Sequence, residues 1–161
     1  AEVPHYTYGH LLMAAYYAGD IDNASEFEKK GYKKIYKNME FLGIIGDFLM
    51  YYAYTDAGKA LERYPKFVPW SFNNFTTHLR KFDFAVSAAA MFKKLMKDGT
   101  QSAKLPLTKE HPAYHADDTY SLQELFDYHY KIAEDIGSKL DKRNQNTGFI
   151  DKLKAKLDRI A

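Results

Sequence analysis

The chain has 161 residues, 46% of them hydrophobic and 27% charged, which is enough to bury one core and too apolar for disorder. Its 23 basic and 21 acidic residues leave a net charge of +2, without the clustered basic excess of a nucleic-acid binder. The absence of cysteine excludes disulfides, thiolate catalysis and cysteine-ligated zinc or iron–sulfur sites.

The chain opens Ala1-Glu2-Val3-Pro4, which reads as a mature terminus cut behind a small residue and points to a periplasmic or secreted protein. From Pro4 an apolar run through Leu11, Leu12 and Tyr16 predicts a helix that Gly19-Asp20 stops. Asn23 or Ser25 is placed to cap a second helix. Its apolar positions Phe27, Ile35, Met39, Leu42, Ile45 and Leu49 keep helical spacing to about Tyr54. Lys29, Lys30, Lys33, Lys34 and Lys37 interleave there with Glu26, Glu28 and Glu40, as on a solvated helix face. The longest apolar run, Phe41 to Tyr54, is broken by Asp47 and two glycines, so no membrane span is expected. Gly43 and Gly46 suit a close helix crossing or a bend.

Thr55 or Asp56 would cap a short helix through Leu61. Pro65 and Pro69 then predict a connector that is not helical throughout. Ser71 is the expected cap of a long helix with Phe75, Leu79, Phe82 and Val86 on its core face, ending at Asp98-Gly99. Residues 100–118, with Pro106 and Pro112, form the longest connector. Ser121 and Glu124 make a capping box for a helix buried along Leu122, Leu125, His129, Ala133 and Ile136. A last amphipathic helix carries Phe149, Ile150, Leu153, Leu157 and Ile160. No segment alternates with period two, so the expectation is an all-α, up-and-down bundle of five to six helices, forming a single domain over residues 1–161.

The segment Ala15-Tyr16-Tyr17-Ala18-Gly19-Asp20-Ile21-Asp22-Asn23-Ala24 resembles the turn of a tetratricopeptide hairpin, with Phe27 where that repeat often places an aromatic. The resemblance implies one helix–turn–helix over about 25 residues. Nothing similar recurs about 34 residues on, so it implies no array.

His111 and His115 lie in one connector beside Asp117 and Asp118, and His129 faces the following helix core. Three imidazoles would complete a zinc-type or haem-ligating set if they converged. Otherwise no cofactor is expected. There is no Gly-x-Ser-x-Gly elbow, phosphate loop or Glu-x-x-His pair, and Asp47 and Asp83 read as buried helix-contact acids, so the chain is not expected to be an enzyme. Tyr64, Phe67, Trp70 and Phe72 in the proline-stiffened connector are the expected anchors for a protein partner. A small, helical, cysteine-free exported domain is similar in general character to immunity proteins that block toxins, which implies an inhibitor-like binding role.

Overall fold

Seven α-helices and one short ribbon make up the regular structure of residues 5–160, the part of the chain that the computed structural model describes. The opening Ala1 to Pro4, read as a processed terminus and helix start, lies outside those residues. Helix α1 (His5–Tyr17) ends at Gly19, whose φ of 82° is the left-handed stop that glycine allows without strain. Asp20, rather than Asn23 or Ser25, then caps α2 (Ile21–Ile35) by accepting the Asn23 N–H at 3.3 Å.

The long second helix expected through Tyr54 is in fact two. Tyr36 to Asn38 turn, Asn38 caps a single 3-10 turn at Met39–Phe41, and α3 (Leu42–Thr55) starts afresh. This is why the bundle has seven helices and not six. Asp56 caps α4 (Ala57–Phe67), which runs past the expected end at Leu61 and contains Pro65. The proline sits in the last turn, so only one hydrogen bond is lost there. A 3-10 segment, Val68–Phe72, follows. The cap of α5 (His78–Lys97) is Thr77 and not Ser71, whose hydroxyl instead donates back to the Val68 carbonyl at 2.6 Å.

Between α5 and α6 (Leu122–Asn144) the connector is pinched by an antiparallel ribbon, β1 (Ser102–Lys104) and β2 (Thr119–Ser121), which is too short to show as an alternating pattern. Ser121 caps α6 as expected, accepting the Glu124 N–H at 3.5 Å, but the Glu124 carboxylate turns to His115 instead of completing the box. Helix α7 (Gly148–Asp158) is capped from outside its own segment: the buried Asp141 carboxylate accepts the N–H groups of Phe149 at 2.8 Å and Ile150 at 3.0 Å. No helix among the described residues is long and apolar enough to cross a membrane.

Helix α5 is the centre of the bundle, packed between α3 and α6 and touched by α7. Its alanine patch, Ala88 to Ala90, is wholly buried. The α3–α5 crossing depends on glycine. A Cβ on Gly46 would lie 2.9 Å from the Ser87 Cβ and 3.3 Å from the Phe84 Cα. Alanine favours helix over glycine by about 1 kcal/mol, but overpacking a core costs about 1–3 kcal/mol. Gly46→Ala is therefore expected to destabilise the protein, and a urea midpoint at or above that of the parent would contradict this tight crossing.

Candidate functional site

The three histidines divide into a buried pair and an exposed single. His115 stands on the surface with Nε2 2.9 Å from the Glu124 carboxylate, which raises its pKa. His111 and His129 are both buried, and each places Nε2 on the hydroxyl of Tyr64, at 2.9 and 2.7 Å. Among the described residues no three His, Asp or Glu side chains gather closely enough to hold a metal ion. The expected trio is split because Glu124 draws His115 outward, while Tyr64 occupies the point where the other two rings meet.

Counting protons gives this cluster a direction. The Ala113 N–H donates to Nδ1 of His111 at 3.0 Å, so that nitrogen is bare and Nε2 carries the proton. Nε2–H of His111 therefore donates to the Tyr64 oxygen, and the Tyr64 hydroxyl donates to Nε2 of His129. His129 is left with its proton on Nδ1. Burial lowers the pKa of His111 to about 4 and that of His129 to about 3, the second helped by the nearby His111. Both rings are thus neutral at pH 7. Phe92 stacks on His129 at 6.0 Å, Phe72 meets the His111 ring at 5.5 Å, and Tyr128 lies 4.9 Å from each. This relay joins α4, the connector and α6.

The aromatic segment proposed as a partner surface is largely interior. Tyr64 and Phe67 are fully buried, Tyr64 by the relay and Phe67 between Tyr32 and Trp70, so neither is available as an anchor. Trp70 and Phe72 are half-buried and packed on the core, with the Trp70 ring 5.0 Å from Phe67.

The exposed aromatic is a different residue. Phe75, expected in the core of α5, is 95% exposed at the apex of the turn before that helix. The turn is held from within. Oδ1 of Asn73 accepts the Phe75 N–H at 2.8 Å, the buried Thr76 donates its hydroxyl to the Trp70 carbonyl at 3.0 Å, and Thr77 caps the helix. Leu79, also expected in the core, is 50% exposed, and Met39 is 43% exposed with Sδ 3.6 Å from Nδ2 of Asn73. Among the described residues only one other large apolar side chain, Ile21, stands so open. The string Asn73-Asn74-Phe75-Thr76-Thr77 carries the turn chemistry that would have revealed this loop.

Beside this turn runs a groove of about 740 Å³ between α1, α3, α5 and α7, with Thr77, Leu79 and Glu40 among its lining residues. Its floor is Met13, Ile44, Met50 and Val86. Glycines open it: a Cβ on Gly9 would lie 2.7 Å from Oδ2 of Asp47, and one on Gly43 would lie 3.1 Å from the Asp83 Cβ. Lys152 and Lys156 of α7 and Arg159 at its C-cap recur at helical spacing along the groove. Nζ of Lys156 reaches Oδ1 of Asp47 and the Ser87 hydroxyl, both at 2.9 Å, and Lys152 pairs with Asp83 at 3.2 Å. Asp47 and Asp83 therefore link helices, as expected, but both are half-buried in the groove rather than enclosed. Arg159 lies 3.6 Å over the Tyr17 ring, and Arg80 has no ion pair among the described residues.

The class defined so far is an all-α helical bundle with an amphipathic groove and a projecting aromatic turn. Comparison of the chain with protein families, curated proteins and solved structures returns no match.

Proposed function

We propose that the protein is a non-catalytic binding protein that docks a protein partner on the face formed by Phe75, Leu79, Met39 and the adjoining groove. The observation carrying this reading is Phe75, an aromatic almost wholly in solvent on a turn whose backbone is held by its own hydrogen bonds. An aromatic on an ordered backbone has few torsions to lose on contact, which is what makes such residues energetic centres of interfaces. Charge indicates the partner's chemistry. Arg80, Lys152, Lys156 and Arg159 outnumber Glu40, Asp47 and Asp83 in the groove, and Arg80 and Arg159 have no carboxylate partner among the described residues. The complementary segment presents apolar side chains flanked by Asp or Glu. An inhibitor-like, exported role is the setting in which a bundle of this kind would act.

The test places a photo-crosslinking phenylalanine analogue at position 75 and, as control, at the exposed Lys131 of α6. One polypeptide should be captured from position 75 alone, and Arg80→Glu should abolish capture. With that partner purified, Phe75→Ala should weaken affinity about thirtyfold, the effect of removing an interface centre. An adduct of twice the chain's own mass would make a second copy the occupant and sink this reading. So would capture from 131 alone, or no capture.

A further inference from the structure

The relay ends at a second, smaller cavity of about 180 Å³ between α5 and α6, apart from the groove. His129 lines it while remaining 1% exposed. Nε2 of that ring accepts from Tyr64, and among the described residues no hydrogen bond reaches Nδ1. Every fully buried side-chain nitrogen and oxygen among those residues has a partner, so the partnerless Nδ1 keeps a sliver of open surface. The ring lines the cavity, and the proton count places a hydrogen on this nitrogen, which makes it a free donor at the cavity wall.

The remaining lining has two characters. Phe84, Ile132 and Ile136 form an apolar wall, while His78 and Lys81 stand in the first turn of α5, where the helix dipole favours an anion. No carboxylate lines the cavity, and neither Lys81 nor His78 has an ion-pair partner among the described residues. Tyr128 also lines it, with no hydrogen bond to its hydroxyl among the described residues, and burial raises its pKa. A comparable apolar cavity of about 150 Å³ accommodates a benzene ring.

We propose that this cavity is a binding site for a small monocarboxylate with a compact apolar body, such as an aromatic or branched-chain acid. The body packs on Phe84, Ile132 and Ile136. Lys81 balances the charge, and the Nδ1–H of His129 donates to the ligand. The site shares no lining residue with the groove, and two of its lining residues, Ser71 and His78, flank the Phe75 turn.

The probe is sodium benzoate, titrated into ¹⁵N-labelled protein at pH 7 and constant ionic strength, with the His129 ring nitrogens followed by long-range proton–nitrogen correlation. The free protein should show His129 with its proton on Nδ1. Benzoate should shift that resonance saturably, with Kd of about 1 mM or tighter. Lys81→Met, at a half-exposed position that leaves the core intact, should weaken binding about tenfold, and neutral benzamide should bind comparably worse. Ile132→Phe, which fills the cavity, should abolish the shift while the fold persists. A proton found on Nε2, no saturable shift up to about 10 mM benzoate, or benzamide binding as well as benzoate would each overturn the proposal.

Discussion

Tyr64→Phe is expected to lower the free energy of unfolding by about 3 kcal/mol and the midpoint of thermal unfolding by about 10 °C. Phenylalanine keeps the ring and its edge contact with Phe92 at 4.9 Å, so no cavity opens. Only the hydroxyl is lost, and with it the shared partner of two buried imidazoles. Each buried polar group left unsatisfied costs about 1–3 kcal/mol, far more than the net value of an exposed hydrogen bond. The two rings cannot readily repair the loss between themselves, because their centroids are 6.3 Å apart and nearly perpendicular. A loss below about 1 kcal/mol in chemical denaturation would show that water replaces the hydroxyl.

Acid is expected to weaken the fold through the same residues. The pKa values of His111 and His129, about 4 and about 3, lie below the ordinary histidine value of 6.5. An imidazole of this kind takes up its proton more readily in the unfolded chain, so its contribution is complete above pH 6.5 and is lost as pH falls towards the folded values. Each ring contributes a slope of at most about 1.4 kcal/mol per pH unit. Together they should remove about 3 kcal/mol between pH 7 and 5, a range in which most carboxylates stay ionised. Glu124 works against this at His111, while burial raises the pKa values of Tyr64 and Tyr128 beside the pair and keeps both neutral. Exposed His115 has a raised pKa and opposes the trend, its stabilisation growing as pH falls. Urea midpoints that are level or rise from pH 7 to 5 would contradict neutral, buried rings.

What could be read before folding was whatever a few neighbouring residues decide. Gly19 and Gly99 end their helices where ends are expected, both at positive φ, and Ser121 caps α6. The α6 core face of Leu122, Leu125, His129 and Ala133 is buried as its spacing predicts. The missed break after Ile35 has a physical origin. Met39, Leu42 and Ile45 keep helical spacing across it, so periodicity carried straight through a turn that Asn38 forms by capping. Phe75 misled in the same way, since its spacing extends the α5 pattern although Thr77 starts the helix later, while Leu79 in the first turn lines the open groove. The candidate site was hidden for another reason. Asp47 meets Lys156 across 109 positions and Tyr64 meets His129 across 65, and no local pattern encodes such partners. His111 and His129, read as ligands of one ion, instead share a hydroxyl supplied by Tyr64, a residue expected at the surface.

Trp70 gives the turn an optical signature. It is the chain's only tryptophan, its ring rests against Phe67, and its carbonyl receives the Thr76 hydroxyl and the Asn73 N–H that shape the loop carrying Phe75. Half-buried, it is sensitive to the solvent around this one loop. Excitation of the indole therefore samples a single place in the bundle, without a label or a substitution. The emission of the unmodified protein is thus expected to change when the Phe75 turn is covered.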